Sequence, residues 1–428
     1  KSLDEWEQFS DGERVLPILR TIPEKVIGPG HNSIIRGPNN RELYCVYHRW
    51  TENGRVMAID RMDFAGRRIF IVGATDTPQI KPYEPNVSDL FPGRPLFADA
   101  GSKGRWKPSN DGIESAVRET CERVYSTRES FICETTFRCL EWKGEKARLG
   151  FRLADKNGII LEISIKPVKR TGTISFRTNG TETVNEFFLP LDFILAADHL
   201  FRAEADGTKV KVSIDATAVA FETRCRSAIR SLSILSQRTT SRFAALTITD
   251  GFEDLFESDD ENPETNGWRI LGLAAMKPTQ REGELLISTE RGCSVTKGEL
   301  FDAAEYAANI RMVNNGSPNS DFGLQLLDRS DSVAVRFGCN SSGFYVDIPG
   351  AKTPIEMKAF AGFDASVYHQ FRMIKLPRKL IAMLDSALIA EVDADLPATR
   401  ISIFCTDAAA ATDMARVTSI RYPEGRTS

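Results

Sequence analysis

Alternating apolar and polar positions dominate the chain. Lys209-Val210-Lys211-Val212-Ser213-Ile214 alternates strictly and puts Val210, Val212 and Ile214 on one face, the period of a half-buried β-strand. Asp215-Ala216-Thr217 then turns the chain, and Val219 and Phe221 return. The pattern recurs with Leu380, Ala382 and Leu384, then Asp385-Ser386-Ala387 and Leu388. Near the start, residues 26–72 hold about four short strand patterns, joined by turns such as Gly37-Pro38-Asn39-Asn40 and Glu52-Asn53-Gly54. Sustained helical periodicity is missing. The pattern predicts an all-β chain.

The recurrence reaches further than one hairpin. Gly150-Phe151-Arg152-Leu153-Ala154-Asp155 matches Gly323-Leu324-Gln325-Leu326-Leu327-Asp328 at an offset of 173 residues. His199-Leu200-Phe201-Arg202 matches His369-Gln370-Phe371-Arg372 at 170, Cys121 falls against Cys293 at 172, and residues 232–235 fall against 401–404 at 169. This is a duplication. About 150 residues per copy, short strands and frequent turns predict two related β-sandwiches. Five prolines between Thr77 and Pro95 mark an extended linker, and the acidic run Glu257-Ser258-Asp259-Asp260-Glu261 marks another. The predicted units are 1–76, a four-stranded antiparallel unit preceded by Trp6 and Val15-Leu16-Pro17-Ile18-Leu19; 77–97, a proline-rich linker; 98–256, sandwich 1; 257–267, an acidic linker; and 268–428, sandwich 2.

Bulk properties narrow the function. The 428 residues carry a net charge of −4 with no long basic run, which argues against electrostatic nucleic-acid binding. No apolar stretch approaches the ~20 residues needed to span a bilayer as a helix. No signal-peptide pattern is visible, and the chain opens on Lys1 rather than Met, so the expectation is that further sequence precedes it or lies in another chain. Its eight cysteines show no CxxC or Cys/His cluster, so a zinc site is not expected. Cys133 and Cys139 are six apart on one strand pattern, too far to pair at about 3.3 Å per residue. Buried, reduced thiols are expected.

One stretch carries a family resemblance. Gly28-Pro29-Gly30-His31-Asn32-Ser33 lies between apolar pairs, Leu43-Tyr44-Cys45-Val46-Tyr47-His48-Arg49-Trp50 follows, and then Gly54-Arg55-Val56-Met57-Ala58-Ile59-Asp60. These segments resemble the last blade of the five-bladed β-propeller of glycoside hydrolase family 43. The two sandwiches resemble, more loosely, the concanavalin-like domains behind many such propellers. The resemblance implies that His31 points into the propeller axis and helps hold a calcium ion, whose other ligands are largely water. It also implies that Arg55 reaches sugar in the pocket, where a guanidinium suits a diol or carboxylate, with Asn32 lining the axis. Otherwise His31 is a hydrogen-bonded blade residue and Arg55 a surface arginine paired with Asp60 or Glu52. Arg36 and His48 are expected to serve the blade's own packing.

Inverting glycoside hydrolysis needs a carboxylic acid and a carboxylate base roughly 6.5–9.5 Å apart. In the family these come from the first three blades, so no catalytic residue is assigned in this chain. Asp60 and Asp63 are expected to be solvated. His199 and His369 occupy one duplicated position, which favours architecture over catalysis. Trp106 and Trp268, matched in the repeat, are expected to pack.

The resemblance therefore implies the C-terminal part of an inverting hydrolase of arabinose-, xylose- or galactose-containing glycans. It would be inactive alone and completed by a chain or fragment carrying the first four blades. The other readings are a non-catalytic carbohydrate-binding module with a relic blade, and a structural or adhesion protein whose sandwiches bind protein. An extracellular or periplasmic setting is the expected location. Four triplets, at Asn86, Asn179, Asn315 and Asn340, fit the N-glycosylation pattern.

Overall fold

The computed structural model describes residues 18–421 apart from 67, 78, 90–100, 179–180, 217–218, 259, 273–275, 290–291, 315–316 and 352–353. Trp6 and residues 15–17 of the predicted first strand lie outside the described residues, as do Pro78, Pro92 and Pro95 of the linker. Among the described residues the protein is all β, with a single 3-10 turn at Pro263–Asn266.

Residues 27–71 form an antiparallel four-stranded meander of β1 (Ile27–Arg36), β2 (Leu43–Thr51), β3 (Gly54–Ala65) and β4 (Arg68–Ile71), in that order. Its small core holds Val26, Cys45, Tyr47, Met62 and Ile71. Within the proline-rich stretch, β5 (Val87–Asp89) pairs with residues 246–248 of sandwich 1.

The two sandwiches repeat strand for strand. In the first, one sheet orders Thr181–Phe188, Thr171–Thr178, Gly158–Lys166, Arg148–Asp155, Ser231–Gln237 and Thr120–Ser126. In the second, the matching order is Ile355–Met357, Gly343–Asp347, Val333–Asn340, Asp321–Leu327, Thr399–Thr406 and Cys293–Phe301, with Arg269–Gly272 added at the edge. The opposing sheets match in the same way, from Ser130–Trp142 against Ala304–Met312 to Thr239–Asp254 against Ala408–Ser419. Residues 251–254 pair with 415–418, so these two opposing sheets run into one. β5 takes the equivalent edge of sandwich 1.

Alternation decides the layers. Val210, Val212 and Ile214 are buried in one core, and Leu380, Ala382 and Leu384 in the other. Phe151 stacks on Phe201 at 3.5 Å in the first core, and Phe337 meets Phe371 at 5.0 Å in the second. Gly150 and Gly323, the matched glycines of the repeat, sit at close approaches of neighbouring strands: a Cβ would stand 1.8 Å from the Ile163 carbonyl oxygen and 2.2 Å from that of Phe337. All eight cysteines are buried and unbonded. Trp268 is buried, its Nε1 donating to Asp254 at 2.9 Å. Trp106 packs edge-on against Phe243.

Candidate functional site

Among the described residues β1 is an edge strand, paired only with β2. Gly30 lies opposite His48 and Ser33 opposite Val46, with a register shift between. His31 and Asn32 therefore stand against the single residue Tyr47 and form a bulge, the device that re-aims a side chain out of a ladder. His31 has φ +52°, in the left-handed region, which non-glycine residues rarely enter. His31 and Asn32 are both exposed. The ring of His31 lies 6.4 Å from that of His48.

Arg55 lies opposite Trp50 in register, with its guanidinium 4.7 Å from the ring centroid. It forms no ion pair with Asp60 or Glu52 among the described residues. Pairs directly opposite share a face. One face therefore carries three rows: Ile27, Trp50 and Arg55; His48 and Met57; and Ser33, Val46 and Ile59. Ile27, Trp50 and Ile59 are exposed, and Met57 is 81% exposed. His31, Asn32 and Arg55 thus belong to one free end of the sheet, beside uncovered apolar residues.

The opposite end of the sheet is docked. Arg61 makes a bidentate contact with Glu305 of sandwich 2, at 2.5 and 2.6 Å, and lies 3.3 Å from Glu42. Asp63 receives Arg416 at 2.5 Å and Arg372 at 3.0 Å. Tyr83 donates its N–H to Glu42 and its hydroxyl to Glu305. Three guanidiniums and three carboxylates thus balance inside the interface. Burial would raise the Asp63 carboxyl, but Arg416, Arg372 and Arg61 outweigh it and hold it below its ordinary value. Glu305 is likewise held at about 2, with Arg61 the largest opposing influence to burial. The expectation of solvated aspartates is corrected here. Asp63 is buried in this network. Asp60 is buried too, accepting from Tyr47 at 2.5 Å and from the Thr75 hydroxyl at 2.7 Å. A carboxylate can be buried because each finds several donors. Arg36 departs from the expected blade-internal role in the same way, pairing with Glu134 of sandwich 1 at 3.1 Å. None of these inter-unit partners could be read from local sequence, since they lie from 98 to 353 residues apart.

Among the described residues no group of three or more His, Cys, Asp and Glu is placed to hold a metal ion. Calcium takes six to eight oxygen ligands. His31 offers a nitrogen and pairs with no carboxylate among the described residues, which do not by themselves make a calcium cage.

No protein-family model matches the chain, and no curated protein matches it in sequence. Solved structures similar to it include an endo-β-1,3-glucanase from Pyrococcus furiosus, at 12% identity and a TM-score of 0.33, covering 41% of this chain and 95% of that one. A β-glucanase from Bacillus licheniformis is 13% identical with a TM-score of 0.31, covering 40% and 98%. A carbohydrate-binding module, CBM66, from Bacillus subtilis is 16% identical with a TM-score of 0.27, covering 34% and 91%. Glycanases and a carbohydrate-binding module thus stand among the neighbours. Likenesses of this degree carry no argument about activity.

Proposed function

We propose that this chain is the C-terminal part of an inverting glycoside hydrolase acting on arabinose-, xylose- or galactose-containing glycans. In this reading β1–β4 are the closing blade of its propeller, and another chain or fragment carries the first four blades, the first three of which hold the catalytic carboxylates. The observation that supports it is the free end of the four-stranded sheet. Here a left-handed, bulged His31 and an Arg55 stacked on Trp50 stand beside exposed Ile27, Met57 and Ile59. A sheet with an apolar face and an unpaired edge is a template for another sheet. Strain held at an exposed non-glycine residue accompanies functional positions. Arg55 would donate to sugar hydroxyls and Asn32 would line the axis. A calcium ion there would take His31 as its ligand from this chain and otherwise water or the partner's oxygens. The sandwiches brace the sheet through the Arg61–Glu305 and Asp63–Arg416 contacts.

The test is co-expression with the four upstream blades, followed by native mass spectrometry and an aryl-arabinofuranoside and aryl-xyloside assay. A stable complex that hydrolyses substrate, with neither part active alone, is the expected result. Separate species with no activity would sink the reading.

A second reading is a non-catalytic carbohydrate-binding or structural protein with a relic blade. It is favoured by the two sandwich cores, each an extensive cluster of buried side chains supplied by this chain.

A further inference from the structure

A cleft of about 380 Å³ opens where the β1–β2 turn meets both sandwiches, within the ~300–1,000 Å³ range of small-molecule sites. Lys297 forms its floor. The side chain is 5% exposed, and its Nζ lies 2.5 Å from Asp206 of sandwich 1 and 2.8 Å from Asp254. The ring of Phe252 is 5.1 Å away. Arg224 ties sandwich 1 to the 3-10 turn before sandwich 2 at one side, donating to the Thr265 carbonyl and to Asn266, each at 2.5 Å.

Arg41 forms one wall and is 8% exposed. Its Nη2 donates to the Gly251 carbonyl oxygen at 2.9 Å. No carboxylate among the described residues lies within ion-pair distance of it. Burial lowers its pKa, opposed by the nearby charges of Glu204 and Glu253. Those two carboxylates line the same cleft. Glu204 accepts Arg202 Nε at 2.6 Å through Oε1, and Glu253 accepts Arg416 Nη1 at 3.4 Å, also through Oε1. The second oxygen of each meets no hydrogen-bond donor among the described residues.

The cleft thus holds a buried guanidinium and two carboxylates that make no ion pair with it among the described residues. A hydroxyl both accepts and donates, so it can bridge such a gap. A carboxylate ligand would lie against Glu204 and Glu253, and a cation against Arg41 and Lys297. Six basic and six acidic residues line the cleft, so its charge favours neither. We propose that this cleft is a binding site for a neutral saccharide, whose neighbouring hydroxyls accept from Arg41 and donate to Glu204 and Glu253. Phe252 and Leu255, also in the lining, offer the apolar contact that the C–H face of a sugar ring takes. The choice of saccharide among polyols rests on the carbohydrate reading above; the site itself requires no propeller.

The test uses this chain alone, with xylose, arabinose, galactose and glucuronate as probes, followed by calorimetry and hydrogen exchange. A neutral sugar is expected to bind and to slow exchange at residues 204–211 and 250–258. Glucuronate is expected to do neither. Arg41→Met and Glu204→Gln should each weaken binding by about tenfold or more, equivalent to at least ~1.4 kcal/mol. Glu204→Gln retains the acceptor for Arg202, so it decides the matter if Arg41→Met does not fold. Unchanged exchange with every neutral sugar up to its solubility, protection only outside the cleft, or preferential binding of glucuronate would each overturn the proposal. Failure of the propeller to assemble leaves this measurement untouched, so the two readings fall separately.

Discussion

His199 Nδ1 lies 2.7 Å from Asp215 Oδ2, and 170 residues later His369 Nδ1 lies 2.9 Å from Asp385 Oδ2. In both copies the other ring nitrogen faces a backbone carbonyl, of Ile194 at 2.8 Å and of Asp364 at 3.1 Å. In both, the aspartate also accepts the N–H of the residue after the histidine at 2.8 Å. Carbonyl and carboxylate only accept, so both ring nitrogens donate when both bonds are made. Asp215 and Asp385 sit at φ +47° and +51°, at the turn that the histidine clamps. The pair is architecture, inherited twice.

His199→Gln and His369→Gln should therefore behave alike. Glutamine cannot make both donor bonds from the ring's positions, and each loss should cost about 1–3 kcal/mol. Urea unfolding followed by hydrogen exchange at the two hairpins checks this. Unequal effects, with one variant indistinguishable from the parent, would contradict the equivalence.

The docked end of the sheet depends on Glu305. Replacing one partner of a buried ionic network leaves the others uncompensated and costs about 3–5 kcal/mol. Glu305→Gln should loosen β1–β4 from sandwich 2 and speed limited trypsin cleavage between residues 36 and 68. With Glu305 held at about 2, below the ordinary carboxyl value, its contribution is full above the unfolded pKa of about 4.3 and fades as the pH falls toward 2.

Asp250 acts with the opposite sign. Burial, reinforced by Glu299 and opposed by Arg128, raises its carboxyl to about 6. Between the unfolded value of about 3.9 and that pH, the folded protein binds more protons than the unfolded chain. This carboxyl therefore makes stability fall as pH rises through that window, and its effect is level above it. Asp250→Asn should remove that component and stabilise the protein at neutral pH by up to about 3 kcal/mol. Denaturant midpoints for both proteins on either side of the window test the sign.

Gly150→Ala and Gly323→Ala place a methyl group on a carbonyl oxygen of the neighbouring strand. Each should cost about 1–3 kcal/mol or more, read as a lower thermal midpoint. Alanine at Gly54, where nothing stands within 4 Å of the added carbon, tests backbone conformation alone at φ +104°.

Met57→Glu tests the proposed docking face. The side chain is already solvent-facing, so stability should stay within about 0.5 kcal/mol. Capture of the upstream blades should be lost. Retained capture would place the partner on another surface.

Much of the fold was legible because β-structure repeats every two residues and buries one face. Val210, Val212 and Ile214 alternate in sequence and are buried together in the structure. The duplication was legible because matched positions do matched work: Gly150 and Gly323 permit close strand approach, and His199 and His369 clamp equivalent turns. The turns around residues 37–40 and 52–54 could be read because their glycines, prolines and asparagines carry the conformation locally.

What only the tertiary structure decided lies between distant segments. Asp60 and Asp63 look like solvated carboxylates in sequence, but Asp63 meets Arg372 and Arg416 more than 300 residues away. Val87–Asp89 looks like linker, yet its backbone completes a sheet edge. The cleft of Arg41, Glu204 and Lys297 has no motif, since each residue comes from a different unit. Side-chain alternation is a local property written into consecutive residues. Charge pairing and cleft formation depend on which surfaces meet, and that follows from burial summed over the whole chain.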